Sequence, residues 1–180
     1  SSTVTSTGKM LPIEDSLVTG TSVTDARVLK VKFTVTGQST NPANSIYDIS
    51  LRNITMDDAL KDSNIKWRLY KNNTLLSSGN FSPSFDVMEN NRMVLTTTQQ
   101  DLTTTASTYV FLMWISESCT GDIANCTNSD NQFKYVGKSF SFNIKLETAT
   151  KTKKELTRKT SAAGTITTLY NNATKTTVTN

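Results

Sequence analysis

Between Ser107 and Ser116 the chain reads STYVFLMWIS, and every position from Tyr109 to Ile115 is apolar. A β-strand sends successive side chains to opposite faces of its sheet. A strand apolar at both parities needs cover on both faces, which places it centrally with a layer packed on each side. The run is roughly half the length of a membrane-spanning helix, and its aromatic and β-branched content suits a strand. Any fold open to this chain has to be built around that segment.

The neighbouring segments alternate instead. In Arg27–Thr36, Leu29, Val31, Phe33 and Val35 share one face, and Lys30, Lys32, Thr34 and Thr36 the other, the period-2 mark of a half-buried strand. Ile46–Ile54 repeats the pattern through Tyr47, Ile49 and Leu51, and Ile65–Tyr70 through Ile65, Trp67 and Leu69. Lys71, Asn72 and Asn73 form a hairpin turn, after which Thr74–Phe81 returns and Pro83 ends the strand. Further strands are expected at Arg92–Thr97, Phe133–Val136 and Lys138–Leu146, the last with Phe140, Phe142, Ile144 and Leu146 on one face. A short helical turn is expected near Asp58. Trp67 and Trp114 are assigned to the core, Tyr70 and Tyr135 to the surface. The result is about seven or eight strands separated by turn residues, an all-β chain folded as a two-sheet antiparallel sandwich of jelly-roll or immunoglobulin-like type.

Composition divides the chain. Of its 180 residues only 36% are hydrophobic, and the polar excess of Thr, Ser and Asn lies at the ends. The expected organisation is an extended N-terminal segment over 1–12, a sandwich domain over 13–147 and a Thr/Lys-rich tail or linker over 148–180. Net charge is +4, and from Lys145 to Asn180 basic residues outnumber acidic ones by five, so basicity belongs to the tail. That tail reads as a solvated linker, or as a contact with an anionic cell-wall polymer, a membrane surface or nucleic acid. A weak apolar pattern at Ile166, Leu169 and Tyr170 marks either one helical turn or a second docking interface. The opening SSTVTST reads as a mature start behind a removed leader, and no run of apolar residues is long enough to span a membrane.

The absence of histidine removes much chemistry. Ser–His–Asp and Cys–His catalysis, HExxH proteases and His-containing zinc fingers all require one. No phosphate-binding glycine motif is present, and no cofactor is expected. The acids Asp57, Asp58, Asp62, Glu89, Asp101 and Glu117 sit in turns or at strand ends, and no spacing singles out a catalytic pair. Asp122, Asn125, Asn128, Asp130 and Asn131 gather oxygen ligands but lack EF-hand spacing. Cys119 and Cys126, seven positions apart in a polar stretch, are read as a disulfide that closes a small ring, which implies an oxidising or external compartment. The basic tail carries no aromatic residue before Tyr170, so nucleic acid is not an expected partner.

A sandwich has open edges, and open edges recruit strands. The segment SSTVTSTGKML has little to bury at home, and two readings apply: an unpaired terminus, or a donor that adds to a neighbouring copy's sheet with Val4, Met10 and Leu11 filling pockets. The stretches PIEDSLVTG, RVLKVKFTVTG and YDISLRNI, followed by YVFLMWISE and NQFKYVGKSFSFNIKL, resemble the TasA/camelysin-type secreted surface proteins of Gram-positive bacteria over roughly residues 10–147. The tail past Thr148 resembles linkers in surface proteins of gut Firmicutes. The resemblance implies a secreted jelly-roll-like sandwich and a role in biofilm or surface fibres built by strand donation. On these grounds the chain is expected to be a non-enzymatic extracellular subunit that self-assembles into filaments. The alternative is an adhesive or ligand-binding sandwich module of a larger bacterial surface protein.

Overall fold

The computed structural model describes residues 2–4, 10–82, 91–117, 133–157 and 166–171. In chain order the strands are β1 (Ser2–Val4), β2 (Pro12–Ile13), β3 (Leu29–Val35), β4 (Ser45–Met56), β5 (Ile65–Lys71), β6 (Thr74–Asn80), β7 (Met93–Val94), β8 (Gln100–Asp101), β9 (Ser107–Ser116), β10 (Phe140–Thr150), β11 (Thr152–Thr157) and β12 (Ile166–Asn171). No α-helix occurs among the described residues. One sheet runs β1–β10–β4, with β7 and β8 pairing successive stretches of the far edge of β4. The other runs β6–β5–β9, with β3 and then β2 along the far edge of β9. The pairings are antiparallel except β2 with β9. This is the all-β, two-sheet architecture that the alternation predicts.

β9 is the spine. Its inward residues Tyr109, Phe111, Met113 and Ile115 pack with Trp67 and Leu69 of β5, Ile49 and Leu51 of β4, and Phe142 of β10. Phe111 sits between the Trp67 ring, stacked at 6.4 Å, and the Phe142 ring, edge-on at 5.8 Å. Each such side chain, fully buried, contributes roughly 1.5–3 kcal/mol. The outward residues Val110, Leu112 and Trp114 are buried too, but under a strap rather than a sheet: Ile13, Val18, Val23 and Val28 lie over them. Polar staples hold the strap down. Gly20 N–H donates to the Tyr70 hydroxyl at 2.9 Å, and Trp114 Nε1–H to Asp15 Oδ1 at 2.8 Å. Lys66 pairs with Asp15, Arg68 donates to the Val18 carbonyl, and Lys30 donates to the carbonyls of Thr21 and Val23. Burial pushes the Asp15 carboxyl up, but Lys66 and Trp114 together hold it below its ordinary value.

Asparagine makes two of the sharp features. Asn72 and Asn73, both with positive φ (47° and 67°), close the β5–β6 hairpin as a primed turn whose twist matches the flanking strands. Asn53, φ 53°, sits where the β4–β10 register shifts, so β4 bulges and still buries Ile54 and Met56.

Several expectations are corrected. Tyr70 and Tyr135 are 6% and 7% exposed rather than at the surface, the first under the strap and the second in the core. The strand expected over Arg92–Thr97 is only β7, because the Thr96 hydroxyl, not a carbonyl, takes the Ile49 N–H and ends the ladder. Phe133–Tyr135 is a 3-10 turn rather than a strand, and the left-handed Gly137 (φ 71°) follows it. β10 continues to Thr150, past the boundary expected at 147, since main-chain pairing with β4 needs no apolar side chain. Where a linker and one helical turn were read beyond it, β11 and β12 form an antiparallel hairpin, with Thr and other β-branched residues favouring the extended chain.

Gly79 stands opposite Trp67 in the β5–β6 ladder, and a Cβ there would lie 2.8 Å from the indole ring. Gly79→Ala is therefore expected to lower stability by about 1–3 kcal/mol, read as a lower urea midpoint at unchanged slope. An unchanged midpoint would mean that the Trp67 ring is not held by the core.

Candidate functional site

The two sides of the sandwich are finished differently. At β6, the Ser77 hydroxyl donates to the Leu95 carbonyl at 2.5 Å and Phe81, 1% exposed, plugs the gap between the sheets. At the opposite side β3 and β10 flank an open slot of about 390 Å³. Its floor is apolar, built from Val31, Phe33 and Val35 of β3 with Ile49, Ile144 and Leu146. The inward residues Val31 and Phe33 are only half-buried, and Leu146 is 36% exposed, although the strand pleat turns all three toward the core. Beside the slot Tyr47 and Tyr109 join the two sheets through a hydroxyl–hydroxyl bond of 2.6 Å, with Phe33 stacked on Tyr109 at 5.4 Å. Burial pushes both phenols up.

β1 occupies one end of this side. Ser2, Thr3 and Val4 register with Ile144, Asn143 and Phe142 of β10. From Lys145 to Thr150, β10 pairs only with β4 among the described residues. The N-terminal segment therefore does add to a sheet edge, and the edge is its own chain's. Its three candidate donor residues are not brought together. Val4 is opposite Phe142. Met10, half-buried against the core, and Leu11, 57% exposed, line a separate pocket of about 390 Å³ at the end of the sandwich, beside Leu60, Ile65 and Phe140.

In the tail, Ile166, Leu169 and Tyr170 lie on β12 opposite Thr157, Lys154 and Lys153. Cys119 and Cys126, and the oxygen-rich cluster from Asp122 to Asn131, lie outside the described residues, as does Glu89. The remaining acids have local partners: Asp57 accepts the Ser139 N–H at 2.6 Å, Asp58 pairs with Lys61, Asp62 with Lys134 and Asp101 with Lys151. Glu117 has its N–H on the Ile13 carbonyl at 2.9 Å. The slot escaped the reading of single strands because it exists only where two edges meet. No local signal marks it: Leu29–Val35 and Phe140–Leu146 alternate with lysines on the outer face, but so does Ile65–Lys71, which lies inside its sheet.

On the outer face of the β10 sheet, Glu147 accepts from Ser50 Oγ at 2.7 Å and from Arg92 Nε at 3.0 Å, with Arg92 Nη2 on its second oxygen and Arg52 Nε at 3.3 Å. Arg92 foremost, with Ser50 and Arg52, holds this carboxyl at about 2 against an ordinary 4.5. A depressed carboxyl stabilises fully above 4.5, and that stabilisation is lost as pH falls toward 2. Glu147→Gln is expected to cost about 1–2 kcal/mol near neutral pH, after allowance for solvent screening, and little at about pH 2.5. Urea unfolding of both proteins across that range reads it directly, and parallel pH profiles would remove Glu147 from the account.

No protein-family model matches the chain, and neither a curated protein nor a solved structure matches it.

Proposed function

We propose that the chain is a structural subunit of an extracellular bacterial surface or biofilm-matrix fibre, coupled head to tail by β-strand donation. One observation carries this reading: the side of the sandwich between β3 and β10 is open, and the N-terminal strand enters it with only three register pairs. The same pairs made to the β10 of a neighbouring copy exchange one edge contact for an identical one. Repeated head to tail, such an exchange does not close on itself, so it grows a filament. Residues 5–9 span the interval between the exchanged strand and Met10, whose packing keeps the rest of each copy intact.

The resemblance to TasA/camelysin-type surface proteins supports the same reading, as does the lack of histidine, which leaves common hydrolytic chemistries without their base. An external location fits the cysteine pair and the Thr-rich strands. The basic residues beyond Lys151 suit contact with an anionic wall polymer. The β11–β12 hairpin, with Ile166, Leu169 and Tyr170, is a second candidate interface, because a lone two-stranded hairpin is marginal in water.

Electron microscopy of the concentrated protein tests the proposal, with a variant lacking residues 1–9 beside it. That deletion leaves Met10 and β2 in place. Fibres from the full chain and none from the variant are expected, with the variant still unfolding cooperatively. Dispersed monomers from both, or fibres from both, would overturn donation by this strand.

A further inference from the structure

The open half of the β3–β10 slot carries a charge pattern that the chain's own ends do not match. Lys32 stands on one lip and Lys145 on the other, both exposed, and no acidic residue lines the slot. Neither lysine forms an ion pair among the described residues. The N-terminal thirteen residues, SSTVTSTGKMLPI, contain no acid and one lysine, and the tail from Lys151 is basic. We propose that this half of the slot binds an extended acidic strand of a second protein, in which aliphatic residues alternate with Asp or Glu. The inference rests on the reading that the β10 edge accepts added strands.

Three features select that occupant. Two main-chain edges border the slot: among the described residues, Lys145–Thr150 of β10 is paired on one side only, and β3 pairs only with β9. An added strand gains main-chain hydrogen bonds there, which supply affinity without reading sequence. The apolar floor takes every second side chain of such a strand, because side chains alternate across the pleat. The intervening side chains then fall on the outer face of the sheet that the strand joins, beside Lys145 on β10 or Lys32 on β3, either of which favours carboxylates. Exposed pairs of this kind add little affinity each, but they choose between partners and fix register. β1 lies end to end with the proposed strand: its first residue, Ser2, registers with Ile144, next to which the open stretch begins.

Lysines on an edge also serve as guards against unwanted pairing. The two roles part on charge selection, since a guard repels any added strand and a lip selects one. The probes are three octapeptides that alternate valine with glutamate, with glutamine or with lysine, titrated by fluorescence anisotropy into the full chain and into Lys32→Glu/Lys145→Glu. Both lysines are exposed, so the variant is expected to fold. The glutamate peptide should bind about tenfold tighter than the lysine peptide, and the order should reverse in the variant. The difference should shrink as salt rises toward about 0.5 M. Equal affinities for the three peptides would overturn charge selection and leave strand acceptance standing. No binding by any would overturn the occupant, while fibre formation by the chain without peptide decides self-donation separately.

Discussion

β9 is apolar on both faces, and most of the architecture answers that constraint. A sheet covers one face, and among the described residues no further sheet lies on the other. The strap does that job with Ile13, Val18, Val23 and Val28 alone. Ordering its irregular backbone costs conformational entropy. Polar staples add to the apolar cover, and they converge on β5 and β9 beneath it. Asp15 takes Trp114 and Lys66, Arg68 reaches the Val18 carbonyl while standing over the Trp114 ring at 5.1 Å, and Tyr70 receives Gly20. Residues that sequence alone assigns to a loop thus belong to the core.

That arrangement explains what was legible and what was not. β3, β5, β9 and the Asn72–Asn73 turn follow from local rules: a period of two, a run without polar interruption, and a residue type that tolerates positive φ. Tyr70 was misplaced because β5 alternates, and its outward side was read as solvent. Nothing local announces the strap, since Val18, Val23 and Val28 recur at an interval that is neither a strand's nor a helix's. The hairpin of β11 and β12 was hidden for a related reason. Lys153, Lys154 and the threonines look like linker, yet a ladder is made by main-chain groups and tolerates them. The slot is further removed still, because which edges face each other is decided by topology.

The same topology gives the two sides of the sandwich different fates. The β6 side is tied shut by a buried side-chain bond and an aromatic plug. The β3–β10 side keeps its hydrophobic floor half open and, among the described residues, is covered only where β1 reaches. An exposed apolar strip between two unpaired edges is costly in a soluble protein and invites strand addition. For the acidic strand proposed above, Lys32 on β3 and Lys145 on β10 make that invitation selective.

Cis and trans pairing of β1 make the same contacts, so the balance between them is set by the tether and by concentration. A short tether holds β1 near its own edge at an effective concentration of order millimolar. Against chains at about micromolar concentration this favours the cis form by roughly 4 kcal/mol. Exchange then prevails only where trans pairing gains what cis pairing lacks. β10 holds such a reserve in Lys145–Thr150, which β1 does not reach in cis. A donor from a neighbouring copy is not held to three pairs by a return to Met10 of the same body, so its main chain can advance along this stretch wherever no acidic strand occupies it. Crowding of chains on a surface moves the balance the same way, by raising the concentration against which the tether competes. Assembly is thereby expected where copies are dense and suppressed where they are dilute, without any change in the fold of the body.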